Sequence, residues 1–405
     1  MTRAKVARVS LPTVVWATAW VSFFADVSTE LIYGVLPAYY LGTLSLSIVW
    51  LGVIEGGAET LVSLTKLFSG SLSDRTGHRK VWMLAGYGLS TLAKPLLALT
   101  TTGVGVGTLR GADRLGKGVR GAPRDALVGG AVDEEQRGRA FGVQRSLDHA
   151  GALVGGLLAA GLLAAALVTP RDLFVISVIP GAIAVLIIAL FVRETAGNRK
   201  GKAVFSPIGA WRGAAPGLRR FLLPAGLFAL ANSSDMLLLA LSYQRFVASG
   251  MSEAIALGQL PLLWALLHVV RSAGAAWGGS MSDRVGRLVM LRVAWGVYAL
   301  AYAIAAWMAA GGPAWLAWVV FAGYGMHAAL GEGPERALIA DLETDPTRRG
   351  TAYGLVSFLT GLIALPATVL TAWVWQTYGG AWAFGADAAI VLVALAALGV
   401  VGRRG

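Results

Sequence analysis

The chain has no cysteine among its 405 residues, which excludes a disulfide framework, a thiolate zinc site and thiol catalysis. Charge is scarce as well. Asp, Glu, Lys and Arg supply 14% of the residues, where a soluble domain carries roughly a quarter. No G-x-x-x-x-G-K-[ST] string occurs, so a nucleotide-binding loop of that form is not the source of energy. What fills the chain is apolar: 56% of the residues are hydrophobic, with 53 glycines suited to close helix packing. A soluble core has no use for so much apolar surface. Spans of about 20 residues with short connections fit this length roughly twelve times. The fold class expected is all-α integral membrane, with twelve transmembrane helices. The net charge of +12 is scattered through the gaps between apolar runs, so no nucleic-acid partner is expected.

The amino terminus, Met1 to Lys5 followed by an apolar run from Leu11, superficially copies a signal peptide with a small-residue site at Ala17-Thr18-Ala19. The stretch before Ala17 is too short for that, and the apolar pattern continues to Tyr33. It reads as the first span.

The apolar runs predict helices over 12–35, 47–72, 80–99, 105–131, 140–168, 172–193, 220–243, 256–281, 287–310, 313–340, 351–376 and 381–401. The run 105–131 is the least apolar, holding Arg110, Asp113, Arg114, Lys117, Arg120, Arg124 and Asp125. The topology requires it. The connections after the even-numbered helices carry the basic residues, among them Arg75, Arg79, Lys80, Arg137, Arg199, Arg284 and Arg348, whereas those after helices 1, 3, 9 and 11 carry none. By the positive-inside rule both termini are cytoplasmic. Were 105–131 not to span, every later loop would invert and the basic ones would face outward.

The longest polar interval, Glu194 to Arg220, divides the chain into 1–196, a linker 197–219 and 220–405. A motif repeats across it. Gly70-Ser71-Leu72-Ser73-Asp74-Arg75-Thr76-Gly77 returns as Gly279-Ser280-Met281-Ser282-Asp283-Arg284-Val285-Gly286, an offset of 283 − 74 = 209. Pro123-Arg124-Asp125-Ala126-Leu127 likewise matches Pro334-Glu335-Arg336-Ala337-Leu338. Internal repeats of this size are a transporter signature. Gly77 suits a reverse turn at a helix end, and Asp74 can accept hydrogen bonds from a neighbouring helix's amino terminus.

The string from Gly70 to Lys80, G-x-L-x-D-R-x-G-x-R-K, resembles the loop signature of the major facilitator superfamily, repeated in the second half as in that family. Arg110 stands where the family's helix 4 arginine is expected. Gly151-Ala152-Leu153-Val154-Gly155-Gly156 resembles the helix 5 motif of its drug and metabolite proton-antiporter branch, with Ala152 at the usual proline position. The resemblance implies two pseudo-symmetric six-helix bundles, alternating access, and a gating motif comprising Gly70, Asp74, Arg75, Gly77, Arg79, Gly279, Asp283, Arg284 and Gly286. It also implies that helices 1, 4, 7 and 10 line a cavity, which makes Asp26, Glu30, Arg114, Lys117, Asp235 and Glu332 the best facing set.

Six charges on one lipid-exposed helix would cost roughly 18 kcal/mol at about 3 kcal/mol each. Arg110, Asp113, Arg114, Lys117, Arg120 and Arg124 avoid this, because at 100° per residue they fall within about one third of the helix circumference. The stripe must face water or polar partners. Asp26 and Glu30 on helix 1, and Glu55 and Glu59 on helix 2, are i, i+4 pairs able to neutralise it. Arg145, Asp148, Asp235 and Glu332 complete the substrate and proton candidates, with Asn232, Arg271, Glu335 and Arg336 nearby. His149, His268 and His327 read as packing residues, and no metal or other cofactor is expected.

The function expected is secondary active transport, proton-coupled export of a small organic solute. Uptake of an anionic or zwitterionic metabolite by symport, and lipid flipping, are the alternatives. Arg114, Lys117 and Arg120 favour an anionic group on the solute, unless the acids of helices 1 and 2 consume their charge. Neither enzymatic activity nor any partner beyond solute, protons and membrane lipids is expected. The expected form is a monomer in the cytoplasmic (inner) membrane.

Overall fold

A computed structural model describes residues 10–194, 206–343, 345 and 348–401, and their regular structure is helical. The long helices are α1 Thr13–Tyr33, α2 Ile48–Thr76, α3 Arg79–Leu96, α4 Gly103–Gly130 and α5 Glu134–Ala164. α6 is Pro170–Phe191, and α7 is Pro216–Ala248, broken at 232–234. α8 Glu253–Val285, α9 Arg287–Ala309, α10 Leu316–Leu342, α11 Arg349–Tyr378 and α12 Gly380–Val401 complete them. Among the described residues nine helices are long and apolar enough to cross a membrane. α3, α4 and α10 fall outside that set because Lys94, the α4 stripe, and His327, Glu332, Glu335 and Arg336 dilute their hydropathy.

The charged run 105–131 is one continuous helix, begun by the Thr102 hydroxyl, which accepts from Gly105 N at 3.1 Å. Ser47, Ser234 and Ser252 start other helices in the same way. α2 and α8 run to Thr76 and Val285, beyond the expected 72 and 281. Their polar last turns leave the apolar zone without unwinding, since a helix satisfies its own backbone in water and lipid alike. α2 then stops at Gly77, whose φ of 71° is the left-handed turn that only glycine adopts without strain. Much of the expected linker, 197–205, lies outside the described residues, while α7 already begins at Pro216 within it.

In the first half α1 packs on α5 and α6, α3 on α4 and α6, and α2 on α4. In the second, α7 packs on α11 and α12, α9 on α10 and α12, and α8 on α10. Adding six to each helix number turns one list into the other, so the two six-helix bundles are pseudo-symmetric. They meet along α2 with α11 and α5 with α8. On the first seam the Thr60 hydroxyl donates to Gly361 O at 2.7 Å and accepts from Leu365 N at 3.1 Å. Thr60 thus reaches from one bundle into the backbone ladder of the other.

Within the bundles small residues allow backbones to touch. A Cβ added at Gly116 of α4 would lie 2.5 Å from the Gly86 carbonyl oxygen of α3. Gly116→Val is therefore expected to destabilise the protein by about 1–3 kcal/mol through overpacking. Thermal unfolding in detergent checks this, with Gly142→Val, which meets open space, as the neutral comparison.

Candidate functional site: a charge network beside a cavity

The helical spacing of the α4 stripe turns Arg110 toward α2. Its Nε and Nη2 donate to the two Glu55 oxygens, each at 2.9 Å, and its Nη1 to Asp113 Oδ2 at 3.1 Å. Tyr40 donates to Glu55 at 3.3 Å, and Ser90 donates to the other Asp113 oxygen. Arg110 and Glu55 are 0% exposed, so this bidentate pair is wholly dry and nearly saturated. Arg114 is as deeply buried but looser. It stands 3.8 Å from Glu59 and 3.9 Å from Asp113, and its Nε and Nη2 have no hydrogen-bond partner. Both guanidiniums lie 5.5 Å from the centre of the Tyr33 ring.

The rest of the stripe diverges. Lys117 is exposed and forms no ion pair with a described residue. Arg120 is stacked over Tyr87 at 4.1 Å. Arg124 bonds to Asp125 and to Ser22, with Asp148 at 3.9 Å. Of the four acids expected to neutralise the stripe, Glu55 and Glu59 do so. Asp26 is half-buried on α1 and forms no ion pair with a described residue. Glu30 instead accepts from Trp264 Nε1 of α8 at 2.6 Å. A helical face shows which residues share a side but not which neighbour they meet, and here α1 turns its acids toward α5 and α8.

Between the bundles lies a cavity of about 370 Å³, lined by Tyr33, Glu59, Phe228, Asn232, Asp235, Tyr324 and Glu335. Asp235 opens the second segment of α7, just past the break, and accepts from Tyr324 Oη at 2.5 Å. Glu335 and Thr360 also line a second space of about 540 Å³ with Lys66, Arg336 and Tyr353. The void therefore continues toward the end that carries the 76–79 and 285–287 turns. At the opposite end it is shut: Tyr33 lies against Trp264 with ring centres 4.6 Å apart, and Val49 N donates to Gln376. Glu332 does not line the first cavity. It is held by Arg271 at 2.6 Å, with Arg145 of the other bundle at 3.9 Å.

His149 and His268 lie 6.3 Å apart between α5 and α8, and His327 Nδ1 meets the Ala294 carbonyl at 2.9 Å. In the gating motif, the side chain of Asp74 lies outside the described residues. Arg75 and Arg284 are exposed in the last turns of α2 and α8. Gly70 faces Ala122 of α4, whereas Gly279 faces open space and Gly286 has φ 95°. The repeat is kept at the next arginine. Arg79 Nη1 donates to Ala126 O at 3.3 Å, and Arg287 Nη1 to Ala337 O at 3.0 Å. Each ties a loop to the end of α4 or its counterpart α10. Asp283 is 3.9 Å from Arg287. The carboxylate at the start of α3 is Glu194, which accepts from Arg79 N at 2.7 Å and Lys80 N at 3.1 Å.

Several residues escaped sequence reasoning. Tyr33, Tyr324 and Trp264 pass for ordinary membrane aromatics until their partners are seen. Lys94 is 1% exposed and donates to Ser28 at 3.0 Å, where α1, α3 and α6 meet. Asp387 is the one charged residue of α12. A lone ionisable residue in an apolar helix is itself a signal.

Two helical bundles around a polar cavity open at one end define a membrane transporter. A sequence model described as Major Facilitator Superfamily matches residues 18–342, and the chain belongs to that family. An uncharacterized MFS-type transporter of Methanocaldococcus jannaschii is 29% identical over 366 residues, 89% of this chain and 88% of that one. An uncharacterized protein of Mycobacterium bovis is 26% identical over 332 residues, 80% of this chain and 78% of that one. Among solved structures, the nucleoside transporter NupG superposes with a TM-score of 0.79 at 11% identity, covering 97% of this chain and 100% of that one. A bacterial homolog of the human lysosomal transporter Spinster, inward-facing and unoccupied, gives 0.75 at 18% identity, covering 98% of each chain.

Proposed function

We propose that the protein exports a small organic solute carrying a cationic amine, in exchange for protons, by alternating access. The first cavity carries this reading: Glu59, Asp235 and Glu335 line it between Tyr33, Phe228 and Tyr324, and the basic Lys66 and Arg336 line only its continuation. Carboxylates with aromatic faces suit an ammonium group. The anionic solute favoured by the α4 stripe has less support, because Arg110 and Arg114 face Glu55, Asp113 and Glu59. Lys117, exposed and without an ion pair to any described residue, supports a second reading in which the solute is a zwitterion. In both readings a proton and the ammonium group compete for the same carboxylates, so binding one releases the other.

The division into 1–196, 197–219 and 220–405, with both termini cytoplasmic and a monomer in the inner membrane, belongs to this proposal. The open end of the cavity is then the cytoplasmic one. Purified protein in liposomes with an imposed proton gradient tests it. Organic cations or zwitterions should dissipate the gradient, and a response to anions alone would end the reading.

The repeated loop supplies a further expectation. Asp74→Asn should slow transport more than Asp283→Asn at equal membrane abundance, because the first copy continues to Arg79-Lys80 where the second reads Arg287-Leu288. Initial rates in the same liposomes measure this, and full activity of the Asp74 variant would remove the gating role.

A further inference from the structure

α12 is apolar from Gly380 to Val401 apart from Asp387. The Asp387 carboxylate is 3% exposed. Thr371 Oγ1 of α11 reaches both of its oxygens, at 3.0 and 3.2 Å, and Ser233 Oγ of α7 reaches one at 3.2 Å. No described Lys, Arg or His forms an ion pair with it. The neighbouring Tyr302 of α9 is 0% exposed, and its hydroxyl lies beside Ser233 and Tyr298 without a well-aligned hydrogen bond to either. An isolated carboxylate in so dry a place costs several kcal/mol and needs one positive charge to balance it.

We propose that Asp387, Ser233, Thr371 and Tyr302 form a site for one monovalent cation, a sodium ion or a proton, entered from the solute cavity past Ser233. Hard oxygen donors from four side chains suit such an ion. Ser233 and Thr368 line the cavity, so Asp387 stands one side chain behind its wall. The site also sits at the break in α7, where Ala231 O is taken by Tyr298 Oη at 2.8 Å. The titratable groups around it are Tyr298 and Tyr302 of α9, Tyr324 of α10 and Asp235 of α7. The α11 face contributes Thr371, and α12 adds no second charge. Filling the site draws α11 and α12 onto the break, two residues from Asp235.

Ion binding here stands apart from the export proposal; only its use in coupling rests on that reading. The test therefore uses no solute. Full-length protein in detergent is followed by its thermal unfolding midpoint, first with sodium chloride replacing N-methylglucamine chloride, then over a pH series in N-methylglucamine alone. Proton uptake is read in parallel in unbuffered solution. A ligand that binds only the folded state raises the midpoint with its concentration. If sodium is the ion, the midpoint rises by several degrees with sodium and Thr371→Val shifts half-saturation about tenfold, as expected for about 1.4 kcal/mol. If the proton is the ion, the midpoint follows pH with uptake of one proton. Asp387→Asn, nearly isosteric and neutral, removes the sodium response or lowers the proton uptake by one relative to wild type, and either pattern supports the site. Wild-type protein indifferent to both ions, or Asp387→Asn indistinguishable from it in both titrations, overturns the proposal. Loss of solute-driven proton flux with ion binding intact would instead count against the export reading alone.

Discussion

Arg110→Ala is expected to abolish accumulation of folded protein, the largest loss of stability from any single substitution considered. The guanidinium satisfies both Glu55 oxygens and one of Asp113. Removing it leaves two buried carboxylates facing each other in a dry site. Breaking a buried pair from one side costs about 3–5 kcal/mol, a large part of the roughly 5–15 kcal/mol that holds a typical domain folded. Arg114→Ala should cost clearly less, since its ion-pair distances are 3.8 and 3.9 Å. Adding Glu55→Gln to Arg110→Gln should restore part of the loss, because two neutral amides can bond to each other. Size-exclusion profiles and unfolding midpoints of detergent-solubilised protein measure all of these. A monodisperse Arg110→Ala variant melting within a few degrees of wild type would show that the network is not structural.

Asp235→Asn should leave a folded protein whose proton-driven export is lowered roughly 10- to 100-fold, the equivalent of losing about 1.5–3 kcal/mol of charged hydrogen bonding to the solute. Asp235 faces the cavity and is held by a phenol rather than by an opposing guanidinium. Its negative charge is therefore free to serve solute or proton. Tyr324→Phe, which removes the 2.5 Å hydrogen bond but keeps the charge, should reduce the rate less. The two are compared by solute-dependent proton flux, with equilibrium exchange of labelled solute measured alongside. A substitution that stops proton coupling alone spares the exchange. If Asp235→Asn retains full proton-driven flux, coupling belongs to another carboxylate, with Glu59 and Glu335 next in the cavity wall.

The architecture was legible because a bilayer permits few solutions. Apolar runs of sufficient length must be helices, and the distribution of Arg75, Arg137, Arg284 and Arg348 carries the orientation proposed for them. α4 was legible only through topology, its own hydropathy being spoiled by the charges that make it useful. The pairing of Glu55 and Glu59 with the stripe followed from their shared helical face. The fates of Asp26, Glu30 and Glu332 did not, because helix rotation is set by contacts between bundles, such as Trp264 on Glu30. The break in α7 was equally hidden. Asn232-Ser233-Ser234 is a mild sequence, and the interruption persists because Thr368 takes up Ser234 N at 3.2 Å and Tyr298 takes up Ala231 O.

Thr60 bridges an acceptor and a donor, Gly361 O and Leu365 N, that are four residues apart in α11. In any α-helix those two groups are each other's natural partners. When the seam between α2 and α11 parts, withdrawal of the Thr60 hydroxyl strands neither of them, because they can close on one another. The hydroxyl itself passes to water entering the gap. The crossing is thus a reversible exchange of partners, and the work of opening this side falls on separating packed surfaces rather than on breaking hydrogen bonds. A seam of that kind can open and close repeatedly within a low-dielectric membrane at little polar cost.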